Sequence, residues 1–342
     1  MTITSIPTCF FPSTVLFIAN KQDNWLKPIF SNNRLFTTCV FGSVNDAIDC
    51  LKRQYCDADK LSSLCTDHSL AACSAPIILD PSSQGLVMMH AEMYNPMRFA
   101  EISVVVIDAT MLGINDFDFC HLLAPYHNKK IAIINSDLED TARVALNKGI
   151  IDAYFVKDNA SRCDELMRVI CYLQHSYFQH MSQVVLNLLS LNEPECLQNI
   201  EFVNYFNNIC AHHDIVEYYL ADLSGGFLLI NADGQVSLLL IKRESDMPLI
   251  AEFAAKHGAN ASVLESIKSG KQIPGMLANE YVDPNMINWE HVLVAAKRKF
   301  FNDVYETAYV SGHSWYDVNY HKSCSYSLYL NRLSAEEHAL VN

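Results

Sequence analysis

The stretch that decides the fold is Val104-Val105-Val106-Ile107-Asp108-Ala109-Thr110-Met111-Leu112-Gly113-Ile114-Asn115-Asp116. Its four consecutive β-branched residues lack the apolar–polar alternation of a half-exposed strand and read as a strand buried on both faces. An aspartate follows at once, and then a loop. In an open parallel sheet, ligands collect outside the carboxyl ends of the strands, which is where Asp108 stands. A carboxylate there also has an ordinary use, accepting the first amide hydrogens of a following helix. The stretch alone leaves those two readings level.

The flanking sequence repeats the pattern. Thr14–Ala19 ends in Asn20-Lys21-Gln22-Asp23, and Leu35–Val40 is a further strand. Lys130–Ile134 ends in Asn135-Ser136, and Ala153–Val156 ends in Lys157-Asp158. Helical patterns fall between them over Trp25–Phe30, Val44–Tyr55, Phe117–Leu123 and Leu138–Asn147, the last closed by Gly149 as a C-cap. Strands alternating with helices predict an α/β, flavodoxin-like, doubly wound five-stranded parallel sheet over residues 14–158, behind an N-terminal extension over 1–13. Residues 57–100, with Pro76, Pro81, Gly85 and Pro96, are too long and irregular for a connection and read as an insertion. Three strand ends then carry an aspartate, a hydroxyl or amide pair, and a lysine. That set raises Asp108 above a mere helix cap.

Composition narrows the function classes. A chain of 342 residues has room for two cores, and at 50% hydrophobic and 18% charged it is not generally disordered. A net charge of -14 disfavours broad contact with phosphate backbones or anionic membranes. Twelve cysteines without a Cys-x-x-Cys pair, together with the absence of a basic n-region in Met1–Ser13, fit reduced thiols in the cytoplasm. No apolar run approaches the ~20 residues a spanning helix needs.

These strand ends resemble the receiver domain of bacterial two-component response regulators. Asp108 through Asp116 is similar to that family's Asp-x-x-Met-Pro-x-Met-Asp-Gly, with Leu112 in place of the proline and Asp116 in place of the glycine. The whole layout, insertion and tail included, is similar to a quorum-sensing member. The resemblance implies that Asp108 accepts a phosphoryl group from a sensor histidine kinase or phosphotransfer protein. It implies Lys157 as the fixed cation and Tyr154 as the switch aromatic. Ser136 or Asn135 takes the switch position, and Ser136 is favoured because only it carries a hydroxyl. An aspartyl phosphate needs Mg²⁺ to neutralise charge between carboxylate and phosphoryl group, with Asp108, Asp23 and Asn20 as the implied ligands. The family has an acidic pair after the first strand, whereas this chain has Asn20 and, three residues on, Asp23. A weak metal site is therefore expected, with two alternatives to an active phosphoacceptor: a pseudo-receiver scaffold that dimerises constitutively, or a nucleotide- or nucleic-acid-binding regulator.

Residues 159–193 read as a long helical linker. Leu166, Ile170, Leu173, Tyr177, Met181, Val184, Leu188 and Leu191 form an apolar seam suited to a homodimer. Residues 194–342 predict an α+β output domain. It begins with a helix over Ile200–Ala211, followed by an antiparallel meander over Val216–Ala221, Gly226–Ile230 and Gln235–Ile241. Helices are predicted over Pro248–His257, Ala261–Lys268 and Trp289–Phe300, and strands over Tyr305–Val310 and Tyr326–Leu330. Lys297-Arg298-Lys299 reads as a solvated helix face. His212-His213-Asp214 and Cys56, Cys65, His68 and Cys73 have metal-ligating types without a standard spacing. No catalytic triad or phosphate-binding glycine loop is present, so the output is expected to bind rather than catalyse.

Overall fold

The computed structural model describes residues 3–20, 22–23, 25–30, 35–53, 92–112, 117, 120–123, 128–157, 163–188, 192–275, 288–312 and 324–341. In chain order its strands are β1 Cys9–Phe10, β2 Thr14–Ile18, β3 Thr37–Phe41, β4 Ile102–Asp108, β5 Lys129–Ile134, β6 Ala153–Val156 and β7 Ile215–Leu220. They continue with β8 Phe227–Asn231, β9 Val236–Arg243, β10 Gln272–Pro274, β11 Leu293–Ala295, β12 Lys297–Phe300 and β13 Val304–Ser311. The described residues divide into two compact units, the first holding those within 12–53 and 97–181, the second those within 3–11, 92–96 and 182–341.

The first unit is the doubly wound parallel sheet, in the order β3-β2-β4-β5-β6. Alternate residues of each strand point to opposite faces. Leu16, Ile18, Val105, Ile107, Ala132 and Ile134 therefore pack against residues of helices 44–53 and Glu139–Asn147. On the other face, Val15, Phe17, Val104, Val106, Ile131 and Ile133 meet Leu26, Ile29, Leu166, Ile170 and Leu173. All five residues of β2 and all seven of β4 are buried, each large aliphatic contributing about 1.5–3 kcal/mol. This explains why the sequence shows unbroken apolar runs.

The long helix spans Cys163–Leu188. Leu166, Ile170, Leu173 and Tyr177 are buried within the first unit, while Val184 is 44% exposed. The early part of the predicted seam is thus core of the parallel unit.

The second unit carries a six-stranded antiparallel sheet in the order β1-β7-β8-β9-β13-β12. The predicted meander is present as β7-β8-β9. Its first turn needs Gly225: the residue has φ +101, and a Cβ there would lie 2.4 Å from Cys196 Sγ. Phe202, Val203 and Phe206 of helix Ile200–His212 cover one face, and Asn199 caps that helix by accepting the amide hydrogens of Glu201 and Phe202. Helices Met247–Lys256 and Ala261–Lys268 follow β9.

Several expectations are corrected here. Part of the N-terminal extension is structural, because Cys9 and Phe10 pair with Tyr219 and Tyr218 of β7. The predicted helix over Trp289–Phe300 stops at Val292, and the chain then runs as β11 and β12, pairing with β10 and β13. Tertiary pairing overrides a periodicity that suits a helix. Lys297-Arg298-Lys299 is accordingly a solvated strand edge, exposed throughout, and not a helix face. Tyr326–Leu330 begins helix Tyr326–Val341, with Ser325 Oγ accepting from the amide of Leu328 at its start. In Phe117–Leu123 the described turn is 3₁₀ over 120–123. Most of the insertion, residues 57–91, lies outside the described residues, as do Cys56, Cys65, His68, Cys73 and Gly113–Asp116. Among the described residues no helix is long and apolar enough to cross a membrane.

Candidate functional site

Strand phase brings the site together. Asp108 is the last residue of β4, in phase with Val104 and Val106, and is wholly buried. Lys157 follows β6 in phase with Ala153 and Phe155. Its amide still donates to the Ile134 carbonyl at 2.9 Å, so the extended run continues through it. In a sheet of this order the crevice opens between β2 and β4, where successive connections leave toward opposite faces. The loop after β2 turns back there, with Asp23 N–H donating to the Asn20 carbonyl at 3.0 Å and Leu26 N–H to the Asp23 carbonyl at 3.1 Å.

The three side chains meet. Lys157 Nζ lies 3.1 Å from Asp108 Oδ2 and 3.1 Å from Asp23 Oδ2. Side-chain exposure is 28% for Lys157, 30% for Asp23 and nil for Asp108. The buried carboxylate thus depends on its partners, while the ammonium and the second carboxylate remain open to an incoming group. Burial alone lowers the Lys157 pKa. The hydrogen bonds to Asp23 and Asp108 and the charges of both outweigh it and hold the ammonium above the usual lysine value. The Trp25 ring lies 5.9 Å from Lys157 Nζ and is parallel to Phe155 at 6.4 Å, forming an apolar wall beside the cation.

Asp108 also fulfils the ordinary reading. Its Oδ1 accepts the Thr110 amide hydrogen at 3.0 Å and the Thr110 hydroxyl at 2.5 Å, at the first turn of helix Ala109–Leu112. One oxygen caps, and the other faces the lysine. Thr110 is the site residue that sequence reasoning missed, although an aspartate with a threonine two positions on is a recognisable turn signal.

Other predicted residues stay outside this cluster. Asn20 is exposed, and its Oδ1 accepts from the Gln22 amide at 3.0 Å, closing its own turn. Asn135 and Ser136 are exposed at the end of β5, where Ser136 opens a 3₁₀ turn, and neither hydrogen-bonds Asp108. Tyr154 is half-buried against the opposite face of the sheet. Asp23, an implied metal ligand, pairs its carboxylate with Lys157.

The donor set suits a hard cation. Among the described residues no three His, Cys, Asp or Glu side chains form a metal group. The Asp23 and Asp108 oxygens nevertheless converge on one positive centre, and Mg²⁺ is commonly held by one or two carboxylates with waters and phosphate oxygens completing the shell. In the second unit His213 is stacked on Tyr309 at 3.8 Å, which accounts for that ring by packing.

No family model and no curated protein matches the chain. Among solved structures, the Legionella pneumophila response regulator LqsR superposes with a TM-score of 0.81 and 34% identity, over 98% of this chain and 99% of that one. An adenylate cyclase from Rhodopirellula baltica superposes with a TM-score of only 0.32 and 13% identity, over 52% of this chain and 97% of that one, too low to carry an argument. A buried aspartate and a lysine at the carboxyl end of a parallel sheet, with a full-length relative at this identity, lead to one conclusion: the chain belongs to the response regulators.

Proposed function

We propose that the chain is a cytoplasmic phosphorelay response regulator, acting in quorum-sensing signalling, that accepts a phosphoryl group on Asp108. The observation that carries the reading is the wholly buried Asp108 carboxylate beside Lys157, with Asp23 on the same ammonium. The donor is a phosphohistidine of a sensor histidine kinase or phosphotransfer protein. An Asp108 oxygen on the Lys157 side attacks phosphorus, the P–N bond breaks, and its electron pair leaves with the imidazole nitrogen, which takes up a proton. Lys157 supplies a positive charge to the phosphoryl oxygens without a proton leaving it. Asp23 and Asp108 would hold Mg²⁺, with Asn20 contributing if it gives up its turn. When bound, the ion neutralises charge between carboxylate and phosphoryl group.

The output is read as a change in dimerisation and in what the antiparallel unit binds. Leu166, Ile170, Leu173 and Tyr177 are already buried in the first unit, so a dimer seam on the long helix would use positions from Met181 onward. Incubation with acetyl phosphate and Mg²⁺ followed by intact mass measurement tests the reading. The chain is expected to gain one phosphoryl mass, and Asp108→Asn to gain none. No gain on the unsubstituted chain at saturating Mg²⁺ would overturn it.

One observation favours a second reading, a pseudo-receiver that dimerises constitutively: Asn20 stands where the family places acid, and its side chain closes a turn. Light scattering separates the two. The phosphorelay reading expects the dimer fraction to move with acetyl phosphate, and the scaffold expects it not to.

A further inference from the structure

The antiparallel unit holds a cavity that the chemistry at Asp108 does not use. It lies at one end of the six-stranded sheet and measures about 780 Å³, within the roughly 300–1,000 Å³ of small-molecule sites. Four pieces of chain build it: the start of β7 with His213, the β8–β9 turn around Asp233 and Gln235, the end of β13 with Tyr309 and Ser311, and the start of helix Tyr326–Val341. The turn is fastened to that helix. Ser327 N–H donates to the Ala232 carbonyl at 2.9 Å, and the Ser327 hydroxyl to Asp233 Oδ1 at 2.9 Å. Tyr309 and Ser311 stand two apart on β13 and share one face of the sheet, the face that helix Ile200–His212 covers.

The His213 and Tyr309 rings stack at 3.8 Å with 11° between their planes and make one wall. Burial, and then the neighbouring His212, lower the His213 pKa, so its imidazole is uncharged at neutral pH and offers one donor and one acceptor nitrogen. Among the described residues, Tyr309 Oη, Ser311 Oγ, the His213 ring and Gln235 Nε2 have no hydrogen-bond partner in the protein. The Gln235 amide is held in place, its Oε1 accepting from Asn231 Nδ2 at 2.9 Å. The described lining includes no lysine or arginine, and Asp233 carries its one formal charge.

We infer that this cavity is a binding site for an uncharged, hydroxyl-rich ring compound of the monosaccharide class. The inference goes beyond the phosphorelay reading and stands whether or not Asp108 accepts a phosphoryl group. A phosphate or carboxylate would enter beside Asp233 with no cation to neutralise it, which turns nucleotides away. An ammonium finds little there either, because Asp233 is exposed and already accepts from Ser327. A hydrocarbon chain would strip water from four polar groups and return nothing. A sugar ring meets both kinds of surface. Its hydroxyls donate and accept, as do those of Tyr309 and Ser311 and the neutral His213, so hydrogen bonds to water are exchanged for equivalent ones. Its C–H face packs on an aromatic ring, which supplies the apolar contact.

The test is saturation-transfer NMR on the full chain, with D-glucose, D-galactose and N-acetyl-D-glucosamine as sugar probes and adenosine monophosphate and putrescine as charged ones. Transfer is expected to at least one sugar, strongest at its ring C–H protons, and to neither charged probe. Tyr309→Leu removes both ring and hydroxyl and should weaken that sugar about tenfold on titration. Ser311→Leu fills the cavity from the neighbouring position and should do the same with an unchanged urea midpoint. Asp233→Asn should alter sugar affinity by less than about threefold, whereas an amine site would lose its counter-charge. Transfer to no sugar, equal transfer in the unsubstituted chain and both leucine variants, or transfer chiefly to a charged probe would each overturn the inference. Should Tyr309→Leu fail to fold, Ser311→Leu decides alone.

Discussion

Two lysine–aspartate pairs, one in each unit, show what makes an ion pair a site. Lys157 contacts two carboxylates at 3.1 Å each, and its side chain is 28% exposed at the open end of a parallel sheet. Lys242, within β9, contacts Asp222 at 2.7 Å and Ser224 Oγ at 3.4 Å, and its side chain is 3% exposed. Asp222 is further committed, its Oδ1 accepting the amides of Ser224 and Gly226 across the β7–β8 turn. The chemistry is the same, but the surroundings differ. The Lys242 pair staples a turn, whereas the Lys157 pair has a second carboxylate and solvent on one side. A shared cation with an open side can take a third anion; a closed pair cannot do so without breaking the turn it holds.

Substituting each lysine breaks the comparison most strongly. Lys157→Met is expected to slow labelling by acetyl phosphate about 100-fold, the scale for removing one preorganised charge donor. Lys242→Met should leave labelling unchanged and instead lower stability to urea by about 2 kcal/mol, because Asp222 loses a nearly buried partner but keeps some contact with water. Equal effects of the two substitutions on labelling would erase the distinction. A smaller effect is expected from Asp23→Asn, which should raise the Mg²⁺ concentration needed for half-maximal labelling about tenfold. Unchanged Mg²⁺ dependence would remove Asp23 from the metal site.

The smallest effect concerns pH. The folded-state pKa of Lys157 lies above the ordinary 10.5, so its pairing stabilises the fold fully below the unfolded value and is lost as pH rises through the folded value. Between about pH 6 and 9 neither stability nor labelling should follow this lysine, and Lys157→Met should flatten only the alkaline arm of a denaturation profile. A midpoint near neutral pH that disappears in Lys157→Met would show that the two carboxylates do not hold the ammonium as described.

The parallel unit was legible in the sequence because burial on both faces writes itself as unbroken apolar strands, and β4 and β6 end in residues that reach the crevice. Asp108 and Lys157 came from those ends, and Asp23 from the loop after β2. Thr110 escaped because it was read only as part of the loop after Asp108, although its hydroxyl and amide both return to that carboxylate. In the antiparallel sheet β7, β8 and β9 were legible from their tight turns and β13 from the run Tyr305–Val310. Two further strands, β1 and β12, were not. Cys9 and Phe10 find β7 far along the chain, and Lys297–Phe300 is held in extended form by the following strand β13, its charged side chains exposed. Local periodicity contains no record of such pairing. Tyr326–Leu330 shows the reverse, an aromatic run with strand propensity that continues into a helix-forming Ser334-Ala335-Glu336-Glu337 segment.

The most direct measurement of the central claim is to reduce the acyl phosphate with borohydride after acetyl phosphate treatment and to map the altered residue by peptide mass. The mark is expected at Asp108 alone, Asp23 remaining unmodified beside it. A mark at Asp23, or none anywhere in a chain that binds Mg²⁺, would contradict the account.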